Sequence, residues 1–187
     1  MADLSERFEQ ALVYATRLHQ NQRRKVGKVP YIAHLMAVSA LVLEAGGSEE
    51  EAIAALLHDA IEDQGGEPTR QDILKRFGPT VAAIVEGCTE FQNLPKPPWQ
   101  ARKIQYLKQI QAGSPSVQLV SLADKLHNGR SLLWSLRQQG SSIWSHFAGG
   151  RELSLWFYQS LLTVYTHHKE TVLWRELAQV VAELEQF

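Results

Sequence analysis

Cysteine is almost absent from this chain of 187 residues, Cys88 being the single one. An internal disulfide and any cysteine-rich zinc cluster are thereby excluded. Charge of one sign is missing too: 19 basic residues face 20 acidic ones, for a formal net charge of −1. No global basic field therefore argues for nucleic acid or an anionic membrane as partner. No apolar run approaches the roughly 20 residues that cross a bilayer. The segment Met1 to Arg7 is acidic and lacks the apolar core of a signal peptide, so the expectation is a cytoplasmic protein. Strand-like alternation, internal repeats and low-complexity tracts are also lacking. What is there is ordinary for a globular protein, 44% hydrophobic and 21% charged. The length suits one domain over 1–187 with a real core.

Helical periodicity runs from end to end. Leu4, Phe8, Ala11, Leu12, Ala15 and Leu18 recur at three- and four-residue steps and predict an amphipathic first helix. A polar, basic stretch from Gln20 to Val29 follows, punctuated by Gly27 and Pro30. Tyr31 to Leu43 resumes the helical pattern and stops at Gly46-Gly47. Ser48 with Glu51 is a capping box that opens the next helix, expected to run through His58 and Asp59. A short helix from Thr69 or Asp72 to Phe77 breaks at Gly78-Pro79, and another starts over Val81 to Val85. Thr89 to Leu94 reads as loop, and Pro95-Lys96-Pro97-Pro98 is the strongest break. Further helices are predicted over about Trp99–Ala112, Ser116–Gln138, Arg151–His168 and Thr171–Glu185. The fold class is all-α, a helical bundle.

Ala55-Leu56-Leu57-His58-Asp59-Ala60-Ile61-Glu62-Asp63 places a histidine and three carboxylates directly behind an apolar run. Burying carboxylates costs several kcal/mol unless a counter-charge compensates, and a metal ion is the usual one. On a helix turning about 100° per residue, His58, Asp59 and Glu62 share a narrow arc with Asp63 at its edge. The bland alternative is a helix end whose acids are solvated before Gly65-Gly66. A bundle builds a metal site from scattered helices, so further ligands are sought elsewhere. His34 sits among apolar residues, where a lone histidine is more often a core residue than a ligand. Asp124 also follows an apolar run, with a structural ion pair to Lys125 or Arg130 as its alternative. Together His34, His58, Asp59 and Asp124 supply two imidazoles and two carboxylates, a set suited to Mn²⁺, Fe²⁺ or Zn²⁺.

The order His … His-Asp … Asp resembles the HD superfamily of metal-dependent phosphohydrolases. It is most similar to the hydrolase domain of the RelA/SpoT family and to stand-alone small alarmone hydrolases of the metazoan SpoT-homologue type. Arg24-Lys25-Val26-Gly27 with Pro30-Tyr31-Ile32-Ala33-His34 carries the likeness, as does Ala54 to Asp63. Phe77-Gly78 with Val81 to Gly87, and Leu122-Ala123-Asp124-Lys125-Leu126-His127-Asn128, complete it. The signature covers about 4–130, and the helical region 131–187 matches less well.

The resemblance implies hydrolysis of the 3′-pyrophosphate of guanosine tetra- and pentaphosphate with Mn²⁺. His34, His58, Asp59 and Asp124 then match the metal ligands. Glu62 and Asp63 match the acids that activate or position water. Arg24, Lys25 and Asn128 match the nucleotide site. Nothing in the chain resembles the synthetase domain of the long relatives, so degradation alone is expected. Leu35 stands where proline usually follows the first histidine, Val26 where a small polar residue is common, and Gly129 where a larger apolar one is frequent. These loops shape the pocket, so an adenine alarmone competes with the guanine compound as substrate. A nucleotidase or phosphodiesterase of the same superfamily is the second reading, and a non-catalytic nucleotide-binding module the third.

The residue chemistry points the same way. A bound metal lowers the pKa of water, and Glu62, one turn after His58, can reach that water. Arg23, Arg24, Lys25 and Lys28 form the densest basic cluster, as a polyanionic substrate requires, although a solvated loop looks the same. Lys96, Trp99, Arg102 and Lys103 either close over the substrate or belong to an ordinary amphipathic helix. Trp134, Trp144, Trp156, Phe157, Tyr158 and Trp174 read as core, with Trp156 or Tyr158 near the nucleotide if the family pattern holds. His127 reads as structural, supporting Asp124 or packing between helices. His167-His168 reads as a solvated helix terminus, and Cys88 as a small buried hydrophobe.

Overall fold

The computed structural model describes residues 3–90 and 97–187, and every described regular element is helical. The helices are α1 (Glu6–Leu18), α2 (Ile32–Glu44), α3 (Glu49–Leu57), α4 (Ala60–Asp63), α5 (Glu67–Cys88), α6 (Trp99–Ala112), α7 (Pro115–Gln139), α8 (Gly150–Val164) and α9 (Val172–Leu184). A 3-10 helix, Gly140–His146, joins α7 to α8 and has no counterpart in the predicted elements. The expected loop from Phe91 to Leu94, and Lys96 in the proline break, lie outside the described residues.

Capping chemistry sets several boundaries. The Ser5 and Ser114 hydroxyls accept from Arg7 N and Val117 N at the starts of α1 and α7. Ser48 and Glu51 form the expected capping box. After α2, Gly46 adopts a φ of 82°, and Gly47 N bonds back to the Val42 carbonyl at 2.9 Å. The space there excludes a side chain, since a Cβ on Gly47 would stand 2.8 Å from that same oxygen. In α5 the chain leaves helical geometry at Gly78 (φ 87°), before Pro79, as the Gly-Pro break predicts. That helix starts earlier than expected, at Glu67, because Pro68 fills its first turn, where no amide donor is needed.

One expectation fails here. His58 and Asp59 do not continue a single helix: α3 ends at Leu57, and Asp59 is the N-cap of the separate four-residue α4. The His58 ring explains the break. Its Nδ1 bonds the Ala55 carbonyl at 2.8 Å, the oxygen that the Asp59 amide would take in an unbroken α-helix.

The core is continuous along the bundle. Ala52 to Leu57 are all buried at 1% exposure or less, as their composition predicts. α3 packs on α1, α2, α5 and α7, and α7 in turn on α2, α5, α6 and α9. Val117 to Asp124 of α7 are buried without interruption, the mark of a helix covered on all sides. Even Gln118 is enclosed, and hydrogen bonds to the Ile110 carbonyl and from His167 N offset its burial. Trp134 departs from its expected core position at 67% exposure, because Leu132, Leu133 and Leu136 take the core-facing positions around it. No described helix is long and apolar enough to cross a membrane.

Candidate metal centre

α2, the α3–α4 junction and α7 each send polar side chains to one point in the core. His34 comes from the first turn of α2, His58 and Asp59 from the junction, and Asp124 from α7. His34 Nε2 lies 3.1 Å from Asp124 Oδ1 and 3.7 Å from Asp59 Oδ2. His58 Nε2 lies 3.0 Å from Asp59 Oδ2 and 3.5 Å from Asp124 Oδ1. His34, His58 and Asp59 place one ligand atom each within 4.8 Å of one another, a spacing that can hold a metal ion. Asp124 is almost wholly buried at 4% exposure, a position in which a carboxylate demands a counter-charge.

The imidazoles are prepared as ligands. His58 Nδ1 is engaged by the Ala55 carbonyl, which leaves Nε2 to face the carboxylates. His34 Nδ1 lies 2.7 Å from Nδ1 of His127, so one proton is shared between the two rings. His127 therefore supports His34, and the expected support of Asp124 falls to Asn128 and Lys125. Both Nε2 atoms are buried without a hydrogen-bond partner among the described residues. Two orphaned nitrogens beside two carboxylates are the donor set that a divalent cation satisfies. In the absence of a cation the acids call up a proton. Burial opposes charge on His58, but Asp59 and Asp124 outweigh it and raise its pKa well above the ordinary value. Burial dominates at His34 and lowers its pKa.

Hydrogen bonds extend outward from this cluster. Asp124 Oδ2 takes the Lys125 ammonium at 2.5 Å, the ion pair that stood as its alternative, while Oδ1 accepts from Asn128 Nδ2 at 2.5 Å. Asn128 Oδ1 accepts from Arg24 Nη2 at 2.6 Å, so the expected nucleotide residues Arg24 and Asn128 adjoin the cluster. Lys25 does not join them; its side chain is exposed in the following turn. The Tyr31 hydroxyl donates to Asp59 Oδ2 at 2.6 Å, a contact that sequence reasoning missed although Pro30-Tyr31 precedes His34 directly. The same Tyr31 ring carries the Arg24 guanidinium over its face, 5.7 Å from the centroid.

The two further acids diverge. Glu62 Oε2 accepts from the Glu90 amide at 3.1 Å. Burial and the Asp59 charge raise the Glu62 pKa above the usual carboxylate range. Asp63 is more exposed and accepts from Gln22 Nε2 at 2.6 Å. Arg102 and Lys103 turn inward and bind the buried Glu90 carboxylate, Lys103 at 2.5 Å. Neither is the solvated face of an amphipathic helix. Tyr158 is buried and packs on Gly129, where a Cβ would meet its ring at 3.3 Å and Val180 at 2.9 Å. The small residue at 129 thus serves the close approach of α8 and α9 to α7. His168 bonds the Pro115 carbonyl at 2.7 Å beyond the end of α8, and Cys88 is buried as expected.

An all-helical core that brings a His-Asp pair together with a histidine from α2 and an aspartate from α7 defines the class. The chain belongs to the HD domain family, whose profile matches residues 11–152. Among curated relatives, the guanosine-3′,5′-bis(diphosphate) 3′-pyrophosphohydrolase of Aquifex aeolicus is 37% identical over 135 residues, 72% of this chain and 19% of that protein. The bifunctional (p)ppGpp synthase/hydrolase SpoT of Escherichia coli is 37% identical over 133 residues, 70% of this chain and 18% of that protein. The chain thus spans about a fifth of the length of these relatives. Among solved structures, a metazoan ortholog of SpoT described as hydrolysing ppGpp superposes with a TM-score of 0.79 at 27% identity, covering 98% of each chain. A Listeria monocytogenes protein superposes with a TM-score of 0.72 at 31% identity, covering 82% of this chain and 99% of that one.

Proposed function

We propose that this chain, acting as one domain over 1–187, is a Mn²⁺-dependent hydrolase that removes the 3′-pyrophosphate from (p)ppGpp-type alarmones and has no synthetase activity. The observation that carries the reading is the pair of buried, unpartnered Nε2 atoms of His34 and His58 facing Asp59 and Asp124. The activities named for the Aquifex protein and the metazoan SpoT ortholog support the choice of substrate.

His34, His58, Asp59 and Asp124 would hold the ion. Bound there, it supplies Lewis-acid chemistry: neutralised phosphate charge and a lowered pKa for water. Hydrolysis adds the oxygen of water to the phosphorus that carries the ribose 3′ oxygen, and the bond to that oxygen breaks. The nucleotide leaves with a 3′ hydroxyl, and pyrophosphate is released. Glu62 takes the proton from water and returns it, directly or through solvent, to the departing 3′ oxygen, and its raised pKa makes it a better base than a solvated carboxylate. Asp63 orients the same water. Arg24, held over Tyr31 and bonded to Asn128, presents a guanidinium for phosphate contact or for stacking on a purine. Lys25, exposed in the same loop, adds a positive charge for the polyanionic substrate.

Purified protein with Mn²⁺, offered guanosine and adenosine alarmones, cyclic dinucleotides and deoxynucleotides, tests the proposal. Release of pyrophosphate from a 3′ position is expected. Orthophosphate alone would move the chain to another phosphohydrolase chemistry, and metal binding without any turnover would make it a binding module. Preference for the adenosine compound would correct the base while leaving the chemistry intact.

A further inference from the structure

Gln22 is the most fully engaged polar side chain next to the metal cluster. Its Nε2 donates to Asp63 Oδ2 at 2.6 Å. Its Oε1 accepts from Gln64 Nε2 at 2.5 Å and faces His19 Nδ1 at 2.7 Å. An amide oxygen only accepts, so the His19 proton resides on Nδ1. Flipping the Gln22 amide would set its oxygen against the acceptor-only Asp63 carboxylate, so its orientation is fixed. The backbone is fixed as well: Gln22 N bonds the His19 carbonyl at 2.9 Å, and Tyr31 N bonds the Gln22 carbonyl at 3.0 Å.

His19 is an unusual anchor for a merely structural contact. It is 2% exposed, and its ring stacks on Tyr31 with centroids 5.4 Å apart, yet its Nε2 has no partner among the described residues. A buried orphan acceptor destabilises a fold, and an apolar residue would fill the same space without that cost. A histidine at this position is explained when the other ring nitrogen has work to do. Asp63, in contrast, ends a helix of one turn and is exposed, so its carboxylate would sample several rotamers if left alone.

We propose that Gln22 is a positioning residue for Asp63, holding its carboxylate through an amide locked by His19 and Gln64. The same contact joins the basic loop that carries Arg24 to the acidic turn, because Gln22 and Arg24 belong to one backbone bridge that closes on Val29, Pro30 and Tyr31. The inference rests on the proposed part of Asp63 in hydrolysis.

Gln22→Glu and Gln22→Met are compared with wild type and Asp63→Asn, using the full chain with Mn²⁺ and ppGpp. Glu keeps the size of Gln but replaces the donor with a carboxylate facing Asp63; Met keeps the length and removes both polar atoms. Both should lower kcat about tenfold or more, the scale on which misplacing a catalytic group acts. KM and Mn²⁺ affinity should stay near wild type, which separates positioning from a general structural role, while the Tm of Gln22→Met falls because the buried His19 Nδ1 loses its acceptor. If Gln22→Glu fails to fold, Gln22→Met decides. Wild-type kcat in the folded Gln22 variant, or a loss confined to KM or metal affinity, while Asp63→Asn is impaired, overturns the proposal alone. A wild type without turnover, or an Asp63→Asn variant at full kcat, overturns the reading beneath it.

Discussion

As the proposed base, Glu62 would carry opposing demands of stability and chemistry on a single carboxyl. Burial first, and then the charge of Asp59, raise its pKa. A group whose folded pKa is raised contributes stability that is complete below its unfolded pKa of about 4.3 and is lost as pH rises through the folded value. Above its unfolded pKa, Glu62 therefore weighs against the metal-free fold. Glu62→Gln should abolish turnover, retain metal binding and raise the Tm of the chelator-treated protein at about pH 7, well above the unfolded pKa of the carboxyl. That gain should close as pH falls below about 4.3. Retained turnover would refute the role of Glu62 as base; an unchanged or lower Tm would refute the account of its charge.

His127 makes a second prediction at this scale. Burial, His34 and Arg24 push its pKa down to about 4, so at neutral pH it is uncharged and can accept the His34 Nδ1 proton. Removing that acceptor frees the ring of His34 and lowers its basicity. His127→Ala should weaken Mn²⁺ binding by about 10- to 100-fold, the range for such supporting partners. A titration giving wild-type affinity would return His127 to a packing role. The sequence pattern marks His127 as structural, supporting Asp124 or packing between helices, and does not reveal its bond to His34. Periodicity places residues on a helix face; it carries no information about which ring, 93 positions away, that face will meet.

At the scale of elements, capping residues and Gly-Pro punctuation are local, and so the capping box at Ser48 and the break at Gly78 were legible. The break between α3 and α4 was not. Its cause is a side chain taking a backbone acceptor, and the helix-forming composition on either side hides it. Helix packing was equally hidden, and glycine reports it only after the fact. A Cβ on Gly87 of α5 would stand 2.4 Å from Val117 Cγ2 of α7, and the β-branched valine cannot swing aside cheaply. Gly87→Ala should therefore force the two helices apart at a cost of about 1–3 kcal/mol, read as a lower denaturation midpoint. Because α7 also carries Asp124, the variant should bind Mn²⁺ more weakly. Wild-type stability would mean that the helices separate without strain.

For the molecule as a whole, the metal site closes the bundle. The four candidate ligands were legible because each interrupts an apolar run, and a buried polar residue is the most informative departure from a hydrophobic pattern. Their supports were not legible. Tyr31, Gln22, His19 and Glu90 look in the sequence like ordinary residues of a polar loop or a helix end, and only the fold gives them partners. The ligands come from α2, the α3–α4 junction and α7, so an ion bound among them ties together elements that otherwise meet through apolar packing and a proton on His58. Binding to the folded state alone stabilises it by mass action, about 2.7 kcal/mol at a hundred times Kd. Metal removal with a chelator should therefore lower Tm by several degrees, and added Mn²⁺ should restore it in proportion to the logarithm of its concentration. Protons compete for His58, so the Mn²⁺-dependent rise should shrink as pH falls. Asp124→Asn keeps the shape of the side chain but removes one anionic ligand, and it should flatten the Mn²⁺ response while leaving the metal-free Tm measurable. A Tm that ignores both chelator and Mn²⁺ in the wild type would show that the cluster holds no ion, and an undiminished Mn²⁺ response in Asp124→Asn would remove α7 from the site.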